Sequence, residues 1–178
     1  MSTSKITERV SDASLAFKAR LAGVIYAFVF LTGGFALVVR TKVGMVAGLI
    51  AGVLYIAVTL LFYSIFKQVN KTLSLLATVI SLTGIIVGPL GLRSVSPLVF
   101  FGFYCLLIGY LVFKSNFLPR FLGALMVFAG LGWLTFLWPP LAASLNPYNF
   151  LPGIIGEGAL TLWLLVKGVD EKKAVART

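Results

Sequence analysis

VGMVAGLIAGVLYIAVTLLFYSIF, residues 43–66, runs for 24 residues without a charged side chain. A helix rises ~1.5 Å per residue and the hydrocarbon core of a bilayer is ~30 Å thick, so about 20 mostly apolar residues cross it. This stretch is long enough, and it carries no polar stripe that would let one face meet water. Lipid is therefore the solvent it is built for, and the rest of the chain repeats the pattern.

Five further apolar stretches follow the same rule: Leu21–Val39, Thr72–Leu92, Val95–Phe113, Phe121–Pro139 and Asn149–Val166. The last is short and has Pro152 in its first turn, where the missing N–H has no helical partner to lose. Short links between them force antiparallel hairpins. The expected fold is an all-α, polytopic integral membrane protein, six transmembrane helices in one compact bundle over residues 21–168. A cytoplasmic segment, 1–20, precedes the bundle and a cytoplasmic tail, 169–178, follows it. Ile6, Val10, Ala13, Phe17 and Leu21 recur at helical spacing among basic residues, so the first segment reads either as an interfacial amphipathic helix or as a solvated tail. The first apolar stretch is too long for a cleaved signal peptide and no small-residue cleavage pattern follows it.

Sixty per cent of the 178 residues are hydrophobic and 11% charged, against roughly 45–50% and about 25% in a soluble domain. The net charge of +10 would fit a nucleic-acid partner, but its placement speaks against one. With the N-terminus inside, the cytoplasmic segments hold Lys5, Arg9, Lys18, Arg20, Lys67, Lys71, Lys114, Arg120, Lys167, Lys172, Lys173 and Arg177, and the outer links hold Arg40, Lys42 and Arg93. Twelve against three places both termini in the cytoplasm, in the inner (plasma) membrane, with anionic headgroups as the partners of the basic face.

The missing residue types exclude chemistry. The chain has no histidine and one cysteine, Cys105, so His-ligated haem, the usual zinc sites, imidazole proton relays and internal disulfides all lack their parts. No Ser-His pair, phosphate loop or paired aspartates can be assembled, and the expectation is a non-enzyme without metal or cofactor. Gly44, Gly48 and Gly52 recur every fourth residue, and Gly84, Gly88 and Gly91 line one side of the next span. Small residues on one face let helix backbones approach closely, either inside the bundle or at a homo-oligomer seam. Trp133, Trp138 and Trp163 fall toward span ends and read as an aromatic belt. Pro139-Pro140 and the uncharged link to Tyr148 read as a helix end and a turn, or as an outer lid.

Glu157 is the one acidic residue inside any span. It lies ten residues before Lys167, ~15 Å in, near the bilayer centre. A lone charge there costs at least ~2.5–3.5 kcal/mol, so it is expected to be protonated, paired or facing water. Glycines Gly153, Gly156 and Gly158 surround it. Tyr55, Ser81, Thr83, Tyr104 and Cys105 fall at matching depth, and Arg93 at an outer span end either reaches inward as a counter-ion or snorkels to water. Glu157 then either holds helices in register or serves a ligand pocket or an ion pathway.

From Phe100 the chain reads FFGFYCLLIGYLVFKSNFLPRFLGALMVFAGLGWL, and it closes with GEGALTLWLLVKGV; with ARLAGVIYAFVFLTGG at the first span, these strings resemble an uncharacterised family of bacterial multi-pass membrane proteins catalogued as domain of unknown function 4386. The specific matches are the FLPR-x-LG junction at Phe117–Gly123 and Glu157 followed by LWLLVKG at Leu162–Gly168. The resemblance implies a helical membrane protein and weight on Glu157, with no substrate or reaction. Two departures are the short first outer link, Arg40–Lys42, and Tyr104 where many family members have a histidine.

Three functions fit. The leading one is a non-enzymatic bundle that binds a lipid-like or small apolar ligand or a membrane partner. The second is a small proton- or cation-coupled transporter or channel-like protein using Glu157, and the third an accessory subunit of a larger membrane complex.

Overall fold

The computed structural model describes residues 3–88, 96–170 and 173–174, with side chains from residue 15 onward. Seven α-helices and no strand appear among the described residues. They are α1 (Thr3–Val38), α2 (Lys42–Phe66), α3 (Lys71–Val87), α4 (Pro97–Lys114), α5 (Arg120–Leu134), α6 (Pro139–Leu145) and α7 (Leu151–Val166). Five helical segments are long and apolar enough to cross a membrane, and the protein is a helical membrane protein: Leu15–Val38, Lys42–Phe66, Pro97–Lys114, Arg120–Leu137 and Tyr148–Val166. Helix α3 is apolar but has 17 residues, ~25 Å of rise against a ~30 Å core. The expected ends of the third and fourth spans at Leu92 and Val95, together with Gly91 and Arg93, lie outside the described residues.

Two boundaries differ from the sequence reading. α1 is one helix from Thr3 to Val38, with no break near residue 20. The fifth span, expected to reach Pro139, leaves α-helical geometry at Leu134, tightens into a 3-10 turn over Thr135–Leu137 and stops at the extended Trp138. Pro139 and Pro140 explain the stop. Neither has an N–H to give, so they cannot continue a helix but suit the first turn of a new one, α6.

The six long helices close into a ring in chain order, each packed on its sequence neighbours, with α7 returning to both α5 and α1. Links of a few residues produce the antiparallel steps. At the α1–α2 link a Cβ on Gly44 would stand 1.6 Å from the Val39 carbonyl oxygen, so only glycine fits. Asn70 caps α3 by accepting from the Leu73 N–H (2.9 Å), Ser96 caps α4 before Pro97 (3.3 Å to the Leu98 N–H), and Gly168, at φ +69°, ends α7.

The tightest seam joins α4 to α5. A Cβ on Gly109 would stand 2.8 Å from the Gly123 carbonyl oxygen and one on Gly123 2.8 Å from that of Gly109, while Gly130 and Gly102 oppose each other at 2.9 and 3.1 Å. Both pairs are centred on residue 116, inside the hairpin link of 115–119. Where lipid removes the hydrophobic drive between helices, such backbone proximity is what holds them together.

Large buried side chains gather in one half of the ring, at the end carrying Lys67, Lys71, Lys114, Arg120 and Lys167: Phe62, Ile65, Phe66, Ile108, Leu111, Leu122, Met126, Leu160 and Leu164. The outward faces, with Leu31, Val43 and Leu162 each more than three-fifths exposed, are apolar all round, as lipid contact requires.

Candidate functional site

Glu157 sits where the packed half of the ring ends. Its helix presents Gly153, Glu157 and Thr161 at four-residue spacing; the Thr161 hydroxyl satisfies itself on the Glu157 carbonyl (2.8 Å), leaving the carboxyl to face the ring interior. Three donors from three other helices meet it. Tyr26 of α1 donates to Oε2, Trp133 of α5 donates its indole N–H to Oε1 at 2.6 Å, and the Cys105 thiol of α4 lies 3.8 Å from Oε1. An indole N–H can only donate, so Oε1 is fixed as an acceptor. No described basic side chain pairs with Glu157, and the one ion pair among the described residues, Lys173–Asp170, lies elsewhere.

Gly153 makes the Trp133 contact possible. A Cβ there would stand 2.2 Å from Trp133 Cζ2, so the indole lies flush against the α7 backbone one turn before the carboxyl. Gly156 serves the same seam, a Cβ there meeting the Leu125 carbonyl oxygen at 2.2 Å.

The midplane residues separate into two groups. Tyr55 joins the carboxyl cluster at one remove, its hydroxyl 3.4 Å from that of Tyr26 and its ring edge-on to Tyr26, Phe101 and Tyr104. Ser81 instead pairs with Thr59 of α2 at 2.8 Å. The Tyr104 hydroxyl is buried and has no hydrogen-bond partner among the described residues. Thr83 is exposed and bonds its own helix at Val79. Ser74 and Thr78 continue the Ser81 face of α3 toward the basic end, both buried, and the Ser74 hydroxyl has no partner among the described residues. Arg93 lies outside the described residues.

Beyond the carboxyl, away from the basic end, the helices line an open cavity of about 780 Å³. Its wall is nearly all apolar, with Phe30 and Leu37 from α1, Ile85 from α3, Phe101 from α4 and Phe150 and Ile154 near the start of α7; Tyr26, Tyr55, Trp133 and Glu157 line it as well. Gly48, Gly52, Gly84 and Gly88 line it too. Gly84 touches α4, a Cβ there standing 2.8 Å from Phe100 Cβ, whereas a Cβ on Gly48 or Gly52 would make ordinary contact with Ala36 or Ile85 at 3.6 and 4.0 Å and one on Gly34 meets nothing within 4 Å. A second, smaller depression of about 330 Å³ at the basic end is lined by Trp163, Lys167 and Lys173 beside the 116–119 link.

Two members of the carboxyl cluster escaped the sequence reading. Tyr26 was passed over because depth was counted at Cα, and a tyrosine hydroxyl stands several ångströms from its Cα. Trp133 was assigned to the aromatic belt from its place near a span end, yet the helix ends at Leu134 and the side chain turns inward. The signal available was Gly153 four residues before Glu157, a gap the size of a ring. Trp138 is exposed, and Trp163 packs edge-on to Phe121 near the basic end.

The family described as Domain of unknown function (DUF4386) matches residues 94–168, the part of the chain holding α4 to α7 and both of the motifs at Phe117–Gly123 and Glu157–Gly168. An uncharacterized protein of Archaeoglobus fulgidus is 26% identical over 130 residues, covering 65% of this chain and 78% of the archaeal one. No solved structure matches the chain.

Proposed function

We propose that the protein is a plasma-membrane bundle of six spans, both termini cytoplasmic, that binds a small apolar or amphipathic molecule in the cavity above Glu157. The observation that carries this reading is a carboxyl held by three donors at the floor of an otherwise apolar space of about 780 Å³. Ligand pockets of ~300–1,000 Å³ typically pair such walls with a few placed polar groups. The basic end meets anionic headgroups, Lys167 and Lys173 flanking the shallow depression there. The protein acts without catalysis in this reading.

Purified full-length protein from native membrane, extracted with organic solvent, is expected to release a co-purifying amphiphile. The double variant Gly34→Leu/Gly52→Leu, which fills the cavity where a Cβ has room, is expected to release none. Equal recovery from both proteins refutes cavity binding. A reporter fused to the tail tests orientation separately, and activity outside the cell inverts it.

A second reading, transport coupled to Glu157, is favoured by one feature. Ser74, Thr78 and Ser81 lie buried along one face of α3 from the basic end to the Thr59–Ser81 pair, with Tyr104 buried on α4, the kind of polar residues that proton relays use. Uptake into proteoliposomes that survives Glu157→Gln unchanged refutes it.

A further inference from the structure

We infer that the ligand of the cavity is a lipophilic amine, its cationic head seated on the Glu157 carboxyl where Tyr26, Tyr55 and Trp133 gather around it. This deepens the cavity reading and rests on it.

Charge complementarity identifies the occupant. Among the described residues lining the cavity, Glu157 is the one carboxylate and none is basic. The carboxyl is supplied with donors that cannot neutralise it: the indole only donates, and the thiol is a weak donor. A site that holds an acceptor this firmly, in an apolar surround, attracts a ligand that brings positive charge. An anionic head is repelled. A neutral hydroxyl head gains one hydrogen bond and no more.

Aromatic rings crowd the carboxyl, and Glu157 is only 7% exposed among them. Tyr26 and Tyr55 stand edge to face with ring centroids 5.5 Å apart, and Phe101 closes on Tyr55 at 5.0 Å. Trp133 flanks the same carboxyl from α5. The tail then has the rest of the cavity. From Cys105, at the level of the carboxyl, to Pro97 at the far end of α4 is eight residues, about 12 Å along the helix.

The test uses full-length protein in nanodiscs of zwitterionic lipid and three probes sharing one tail: dodecylammonium, dodecanol and dodecyl sulfate. Heats of titration are corrected by empty discs. Dodecylammonium is expected to bind saturably at least tenfold tighter than dodecanol, and dodecyl sulfate not to saturate. Glu157→Gln is expected to bring dodecylammonium down to the dodecanol affinity while leaving dodecanol unchanged. Equal binding of the ammonium and the alcohol by the wild-type protein, or a preference that survives Glu157→Gln, overturns the amine assignment and leaves cavity binding standing. Failure of all three probes to saturate overturns both. The ranking of probes on the wild-type protein needs no variant, so a poorly folded Glu157→Gln does not rescue the proposal.

Discussion

Gly153→Ala is the most revealing single substitution in this bundle. The new methyl would stand 2.2 Å from Trp133 Cζ2 and 2.9 Å from its Nε1. Ordinary contact begins near 3.4 Å, so the indole must withdraw by about 1.2 Å at its nearest atom. If the whole ring moves by that much along the bond from Nε1 to Oε1, now 2.6 Å, the separation rises to at most about 3.8 Å, beyond the ~3.2 Å reach of an N–H···O bond. Leaving a buried donor and acceptor unsatisfied costs ~1–3 kcal/mol, and forcing a methyl into a packed seam costs about 1–3 kcal/mol more. Gly158→Ala is the matched control, since a Cβ there meets nothing within 4 Å on the same helix. In a Trp138→Phe/Trp163→Phe background, the emission of Trp133 reports its surroundings, and denaturation from mixed micelles reports stability. Gly153→Ala is expected to shift the emission and to lower stability by about 2–6 kcal/mol relative to Gly158→Ala. Equal stability within ~0.5 kcal/mol, with unchanged emission, refutes the view that Gly153 seats the indole on Glu157.

Thr59→Val strips Ser81 of its 2.8 Å partner and is expected to cost about 1–3 kcal/mol, whereas Thr59→Val/Ser81→Ala costs less than the two single changes together; additive losses from the same denaturation assay would show that the hydroxyls do not interact. Gly123→Ala drives a methyl to 2.8 Å from the Gly109 carbonyl oxygen and should destabilise by ~1–3 kcal/mol, while Gly48→Ala, with 3.6 Å available, should leave stability unchanged; the reverse order of the two midpoints counts against the α4–α5 seam. Gly23→Ala, whose Cβ would stand 2.7 Å from the Leu165 nitrogen, should open the α1–α7 closure, read as faster hydrogen exchange at the basic ends of both helices.

Apolar length and the absence of charge made the helices and their hairpins legible, because crossing ~30 Å of hydrocarbon constrains composition directly. Helix ends were less so. Pro139 was counted into the fifth span by hydropathy, which does not register the backbone break that two prolines impose. Glu157 stood out for its rarity, but its partners did not, since Tyr26 and Trp133 are ordinary residues for a span and become distinctive only once α1 and α5 flank α7. Glycine runs were ambiguous for a physical reason. A missing side chain lets a neighbouring backbone come close, as at Gly109 and Gly123, or leaves the space open, as at Gly34 and Gly52, and only the paths of the other helices decide which.

That ambiguity explains why the cavity and the carboxyl occur together. Toward the basic end the ring interior is filled by phenylalanine, leucine and methionine side chains, and α1 touches α7 so closely at Gly23 that a methyl would collide with backbone. Toward the other end, the cavity wall of α1 to α3 is Gly33, Gly34, Gly48, Ala51, Gly52 and Gly84 at many of its positions, too small to reach across. The packed half therefore fixes the helix directions and the other half does not close over them. Glu157 lies at the step between the two. One turn deeper, Leu160 and Thr161 are sealed in the core, where a carboxyl would meet no cavity; one turn shallower, Gly153 is occupied by the indole. At position 157 alone on this face of α7 can a carboxyl be held by tyrosine, tryptophan and thiol donors and still line the open space.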